Sequence, residues 1–152
     1  MKVFLGGTKN STWRDDLIPM LEAQGIEYFN PIVDDWDEAA QQRELQERES
    51  CDICLYCITP KMTGVYSIAE LIDDSNKRPE KTVLVVLEED PSMPIPWRRP
   101  AFDSGQKRSL EQVGCMVVGN GGKYCNSLRS ASEYFGRIAN ASICASCGGV
   151  VL

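Results

Sequence analysis

The carboxylate of Glu70 is the group in this chain best placed for chemistry. It closes the stretch Lys61-Met-Thr-Gly-Val-Tyr-Ser-Ile-Ala-Glu70, which follows the apolar run Asp52-Ile-Cys-Leu-Tyr-Cys-Ile58 and the stop Thr59-Pro60. The apolar run reads as a buried strand. Val65 to Asn76 reads as an amphipathic helix with Thr63 as its N-cap. Glu70 then lies about two turns into that helix on the Tyr66 side, because residues four apart share a face. A carboxylate beside a strand's carboxyl end, over a helix N-terminus, lies where open α/β sheets bind ligands. It can serve there as nucleophile, acid or base. The plainer alternative is a solvated charge, which most helical glutamates are.

The chain contains no histidine. That removes Ser-His-Asp and Cys-His catalysis and the commonest metal ligand. Acid–base work falls to carboxylates, Tyr, Lys or Cys. Of the seven cysteines, Cys51, Cys54 and Cys57 lie in or beside the buried strand. Alternation sends Cys54 and Cys57 to opposite faces, which spoils a shared metal site; they read as small core residues. Cys144 and Cys147 make one C-x-x-C in a Gly-rich tail, without the second pair that a metal site would want. An odd count without a secretion signal suggests reduced thiols. No metal is expected.

The elements that must position these groups alternate. Lys2 to Gly6 is a short strand running into Gly6-Gly7-Thr8, where glycines let a backbone approach a ligand and the next helix brings N–H groups nearby. It is neither a G-x-G-x-x-G nor a P-loop, so no dinucleotide or ATP cofactor is implied. Ser11 is a plausible N-cap for a helix from Trp13 to Gln24, stopped by Gly25 and either kinked or delayed by Pro19. Ile26 to Phe29 is a second strand, and Ile32 to Trp36 a loop. Asp37 to Glu49 is a polar helix whose packing stripe is only Ala40 and Leu45. Lys81 to Leu87 is an apolar run of the kind found in a parallel strand covered on both faces.

Glu88 to Gln106 holds four of the eight prolines and reads as one long loop, a lid or a subunit contact. Gln106 to Val113 is then a short helix, Cys115 to Val118 a last strand, Asn120 to Lys123 a turn, and Ser127 to Ala141 a C-terminal helix. The pattern predicts an α/β fold, a five-stranded parallel sheet with helices on both faces and right-handed crossovers. Residues 1–140 form one domain and 141–152 a tail.

The totals agree with a globular enzyme or binding domain. At 152 residues and 43% hydrophobic, the chain can bury roughly two-thirds of its unfolded surface. A net charge of −6 argues against nucleic-acid binding, which needs a basic face. No apolar run approaches a membrane span, and no leader pattern is seen, so a cytosolic location is expected.

Three turn regions should meet at one sheet edge: Gly6 to Ser11, Asn30 to Trp36, and Thr59 to Glu70. On these blocks the sequence resembles the nucleoside 2-deoxyribosyltransferase family, in its deoxyribosyltransferase-like branch. The residues that carry the resemblance are Val3-Phe-Leu-Gly-Gly-Thr8 with Ser11-Thr-Trp-Arg14, Tyr28-Phe-Asn-Pro31 with Asp34-Asp-Trp36, Cys51 to Pro60, and Thr63-Gly-Val-Tyr-Ser-Ile-Ala-Glu70. Similarity spans roughly residues 1 to 135.

The resemblance implies that the sheet is flavodoxin-like (Rossmann-like). It also implies N-glycosidic chemistry on nucleosides or nucleoside 5′-monophosphates, with Glu70 as the nucleophile that forms a covalent glycosyl ester. An aspartate eight residues before the strand's first aspartate would lie near the base, and Glu44 stands at that position. Gly64 stands where transferases often carry an aspartate, which leaves Asp34 or Asp35 for base recognition. Phe4 stands where an active-site tyrosine often lies, so a phenol contact to the nucleophile is lost unless Tyr66 supplies it. Trp36 is placed to stack on a base or to cap the core edge. Arg14 and Lys61 are candidates for a 5′-phosphate, and Ser67 near the N-terminus of the Glu70 helix for a phosphate or sugar hydroxyl. Gly6, Gly7, Thr8, Ser11, Thr63 and Gly64 are further substrate-binding candidates. A homo-oligomer is implied, and no cofactor. The rival is a non-catalytic nucleotide sensor using the same crevice.

Overall fold

The computed structural model describes residues 1–92 and 101–146. Five parallel strands lie in the order β2-β1-β3-β4-β5: β1 Lys2–Gly7, β2 Glu27–Phe29, β3 Ile53–Ile58, β4 Thr82–Val86 and β5 Lys123–Cys125. They alternate with α1 Trp13–Glu22, α2 Glu38–Ser50, α3 Tyr66–Lys77, α4 Ser104–Gly119 and α5 Leu128–Ser146. This is the parallel α/β sheet that the alternating pattern predicts, in the flavodoxin-like order that the family resemblance implies.

The period-two pleat sorts the core into two layers. Val3 and Leu5, Leu55 and Cys57, and Val83 and Val85 face Trp13, Leu17 and Leu21 of α1 and Ala131 and Phe135 of α5. Phe4, Cys54, Tyr56, Ile58 and Leu84 face the other way, onto Leu71 of α3 and Leu110 and Val117 of α4. Cys54 and Cys57 therefore lie in different layers. The described cysteines are unpaired: Cys51, Cys54, Cys57 and Cys125 are buried and Cys115 is exposed.

Several sequence expectations need correction. Cys115 to Val118 is not a strand but the last turn of α4, which begins at Ser104. There Asp103 accepts from the Gln106 amide while Gln106 accepts from the Asp103 amide, a reciprocal cap that starts the helix early and carries its periodicity past the apolar tetrapeptide. The fifth strand is Lys123–Cys125 instead, pairing Leu84 with Tyr124. Neither Ser11 nor Thr63 is an N-cap; Thr12 and Val65 hold those positions, without a side-chain bond. Helix α1 begins at Trp13 and runs through Pro19. Leu45 is no packing residue, being 42% exposed. The buried residue of α2 is Arg48.

Helix α5 continues beyond residue 140 to Ser146. The C-x-x-C expectation and most of the proline-rich loop fall outside the described residues or side chains; Glu89 and Ala101 are joined by an antiparallel bridge. No described helix is long and apolar enough to cross a membrane.

Candidate functional site

From β1 the chain passes through α1 to β2 on one side, and from β2 it returns through α2 to β3 on the other side of β1. The carboxyl ends of β1 and β3 therefore flank the point where strand order reverses. Open sheets of this kind form their ligand crevice there. A cavity of about 330 Å³ occupies this crevice, lined by Gly6, Gly7, Lys9, Arg14, Pro31, Ile32, Trp36, Glu44, Tyr66, Ser67 and Glu70. A second cavity of about 220 Å³ shares Gly7, Lys9, Tyr66 and Ser67 with it and adds Thr8, Asn10, Lys61, Met62, Thr63 and Gly64.

The floor of the first cavity is backbone, and Gly7 makes that possible. Its φ is +114°, and a Cβ there would stand 2.1 Å from the Cys57 carbonyl oxygen. No side chain fits between β1 and β3 at that point. The loop beyond is held from both sides. Thr8 N donates to Cys57 O at 2.9 Å, and Thr59 N donates to Thr8 Oγ1 at 2.9 Å.

Arg14 is buried against the Trp13 ring, 4.2 Å from its centroid. It donates to Leu5 O through Nε at 3.1 Å and Nη2 at 2.8 Å, and to Thr8 O through Nη1 at 2.9 Å. Burial lowers its pKa to about 10. Its fork is spent on the carbonyls of the glycine loop, so it acts as the clamp of that loop. Behind it, Thr59 Oγ1 donates to the buried Asp90 Oδ2 at 2.5 Å, and Ser92 donates to Oδ1. Burial opposes that charge, but the hydroxyl and amide donors hold Asp90 below the ordinary carboxylate range. The Ser11 hydroxyl is buried on the same side, in the field of Asp90, and outside hydrogen-bond geometry.

Glu70 is 6% exposed on α3. Its Oε1 accepts from Arg48 Nη1 at 2.9 Å, and Oε2 makes no hydrogen bond among the described residues. Burial pushes its pKa up to about 7; the Arg48 cation opposes this, and the charges of Glu44 and Asp74 add to it. Glu44 reaches the cavity from α2, where Trp36 Nε1 donates to its Oε2 at 3.2 Å. Trp36 itself is 51% exposed and Tyr66 55%, so the aromatic walls stand at the mouth. Phe4 is fully buried and stacks on Phe29, ring centroids 6.0 Å apart. It makes no part of the cavity.

The residues expected from the sequence thus divide. Glu70, Glu44, Gly6, Gly7, Arg14, Trp36, Tyr66 and Ser67 line the first cavity; Thr8, Thr63 and Gly64 line the second. Asp34 and Asp35 are exposed and line neither, and Ser11 lines neither. Lys9, Pro31 and Ile32 join the lining without having been singled out. The larger omission is Arg48 with Asp74. Arg48 is 4% exposed. It forks onto Asp74 through Nη2 to Oδ1 at 2.8 Å and Nε to Oδ2 at 3.3 Å. Tyr56 Oη donates to Asp74 Oδ2 at 2.5 Å, and Arg78 donates to Oδ1 at 2.7 Å.

The sequence did hold a signal for this cluster. Glu44 and Arg48 are one turn apart on α2, as are Glu70 and Asp74 on α3, so each helix presents a two-residue charged face. Among the described residues no group of three or more Cys, Asp or Glu side chains is arranged to hold a metal ion.

The arrangement offers one desolvated carboxylate with a free oxygen, a second carboxylate on the facing helix, two aromatic rings and a backbone floor. No match was found among curated proteins. The profile of a family described as nucleoside 2-deoxyribosyltransferase like matches residues 1–90, which carry the glycine loop, Glu44, Arg48 and Glu70, and stops short of the span to residue 135 suggested by resemblance. With more than half its length matched, the chain belongs to the nucleoside 2-deoxyribosyltransferase-like family.

Proposed function

We propose that the protein cleaves or transfers the N-glycosidic bond of nucleosides or their 5′-monophosphates through an ester on Glu70. The observation that carries this is the burial of Glu70 beside the cavity with Oε2 free and Oε1 held by Arg48. A carboxylate poised near pH 7 can be ionised when substrate enters and is nucleophilic once it is. In this reading Oε2 attacks C1′ from the face opposite the base. Glu44 protonates the departing base, and water or a second base resolves the ester from the vacated side.

The other residues take supporting parts. Trp36 stacks on the base at the cavity mouth, a contribution of roughly 1–3 kcal/mol by analogy with nucleic-acid platforms. The Gly6-Gly7 backbone admits the sugar closely. Ser67, Lys9 and the N-terminus of α3 suit the 5′ end, whether hydroxyl or phosphate. Open space surrounds the Gly64 Cα, with no carboxylate at that position to seat an acceptor base, which favours water as acceptor. The exposed Ile32, Val33, Trp36, Val65 and Tyr66 fit burial by a second copy in a homo-oligomer.

The test is a panel of deoxynucleosides, ribonucleosides and their monophosphates, assayed for free base, with a 2-fluoro sugar as trap. Expected is base release that Glu70→Ala abolishes while binding persists, and a glycosyl adduct on Glu70 by mass spectrometry. Tight binding without release or adduct from any substrate would refute catalysis and leave a nucleotide sensor.

A further inference from the structure

We infer that Arg48 is the positioning residue of Glu70, holding Oε1 so that Oε2 alone faces the sugar, while Asp74, Tyr56 and Arg78 hold Arg48. This rests on the function proposed above and goes beyond it, because it assigns a task to a cluster that touches no substrate. Three features of the geometry point there. The first is economy of donors: Arg48 spends Nη1 on Glu70 at 2.9 Å and Nη2 and Nε on Asp74 at 2.8 and 3.3 Å. A planar fork committed to two carboxylates cannot rotate without breaking a charged bond.

The second is asymmetry. Asp74 is fully buried and receives Tyr56 and Arg78 besides Arg48, so it is saturated with donors and stays charged. Burial opposes its ionisation, yet the bonds from Arg48 and Tyr56 hold it below the ordinary carboxylate range. Glu70 receives Arg48 alone. One carboxylate is an anchor and the other is left half-satisfied.

The third is replacement. Phe4 is packed in the core on Phe29 and offers no hydroxyl, and Tyr66 makes no described bond to Glu70. The donor that steadies the carboxylate arrives from α2 instead. Helix α2 has little apolar surface to pack, and its buried residue is this arginine. The α2–α3 contact is therefore polar, and the same ion pairs that dock the helix orient the reactive group.

In the first half-reaction the Glu70 Oε2–C1′ bond forms as the C1′–N bond breaks. Its electron pair leaves on the base, which takes the proton from Glu44. Oε1 becomes the ester carbonyl oxygen and still accepts from Arg48. In the second half, the oxygen of water bonds to C1′, its proton goes to Glu44, and the C1′–Oε2 pair returns to Glu70. The charge reappears there against the Arg48 cation, which makes Glu70 the better leaving group.

The charged and titratable groups around Glu70 are Arg48 and Glu44 from α2, Asp73, Asp74 and Tyr66 from α3, Tyr56 from β3, Arg14 from α1 and Lys9 from the glycine loop. Only Arg48 bonds the Glu70 carboxylate, so its removal dominates. The experiment compares wild type, Arg48→Gln and Arg48→Lys, each with and without Glu70→Gln, by urea unfolding across pH. The readout is the pH midpoint at which Glu70→Gln changes stability, which needs no substrate.

Arg48→Gln should move that midpoint up by roughly 1–3 pH units, the effect of losing an adjacent opposite charge. Arg48→Lys keeps a cation but not the fork; it gives an intermediate rise and carries the test if Arg48→Gln does not fold. The acid limb of kcat/KM moves with the midpoint, and glycosyl-enzyme accumulates in the variants because its breakdown slows. An unmoved midpoint overturns the inference while wild-type adduct on Glu70 still stands for the proposed function. A wild-type enzyme that neither releases base nor forms adduct overturns both.

Discussion

Replacing Glu70 by glutamine should make the protein more stable, and by an amount that grows with pH. Glutamine is nearly isosteric with the protonated acid and can still accept from Arg48. Below about pH 4.5, the ordinary value for a glutamate, both folded and unfolded wild type carry the proton, and the two proteins should differ little. Between there and about 7 the unfolded chain gives up its proton while the folded one keeps it. A carboxyl whose folded pKa is raised contributes stability that is present at low pH and lost as pH climbs through the folded value.

At about 1.4 kcal/mol per tenfold change in proton affinity, a displacement from 4.5 to about 7 amounts to about 3 kcal/mol. That is a large share of the roughly 5–15 kcal/mol by which domains of this size are stable. Urea titrations of both proteins at intervals from about pH 4.5 to 8.5 measure the difference, in which groups common to both cancel. The expected curve rises across that window and is flat above about pH 8. A difference independent of pH, or a glutamine variant that loses ground as pH rises, would show that Glu70 is not held in a desolvated site. The nucleophile assignment would lose its physical basis with it.

The same proton governs turnover: base release, read as kcat/KM, should fall about tenfold for each pH unit below 7, because only ionised Glu70 attacks. A profile flat from pH 5 to 8 would contradict that. Gly7→Ala should cost about 3 kcal/mol or more, since it combines a left-handed backbone with a Cβ driven into the Cys57 carbonyl; thermal denaturation checks it, and an unchanged midpoint would refute the close β1–β3 approach. Trp36→Ala should leave folding intact, its ring being half exposed. It should raise KM by roughly 5- to 150-fold, the equivalent of 1–3 kcal/mol of stacking, and an unaltered KM would assign Trp36 elsewhere.

Four of the five strands were legible because their residues are strongly typed, and the flavodoxin-like order was what the family resemblance implied. Apolar runs such as Ile53–Ile58 and Thr82–Val86 have few ways to be buried, and alternation with helices selects a parallel sheet. Gly6, Gly7, Trp36, Tyr66, Ser67 and Glu70 could be gathered for the same reason: they follow strand ends, and strand ends converge. Glu44, in the middle of α2, was reached only through the family resemblance. Element boundaries were less secure. Cys115 to Val118 looks like a strand by composition, yet the reciprocal Asp103–Gln106 cap and the packing of Val117 onto the sheet make it helix. Local propensity lost to a cap and a tertiary contact.

The roles of charged side chains were hardest to read. Arg14 looks like a phosphate ligand until the structure shows its donors taken by the carbonyls of Leu5 and Thr8. Arg48 looks like one more surface charge in a polar helix until Glu70 and Asp74 close around it. The amino-acid sequence by itself determined the sheet, the crevice at the ends of β1 and β3, and which acid stands beside it, because burial of apolar strands leaves little choice. Only the tertiary structure decided which charges are desolvated and which are paired. Those depend on the angle at which α2 meets α3, and a carboxylate's proton affinity is set by neighbours in space rather than along the chain.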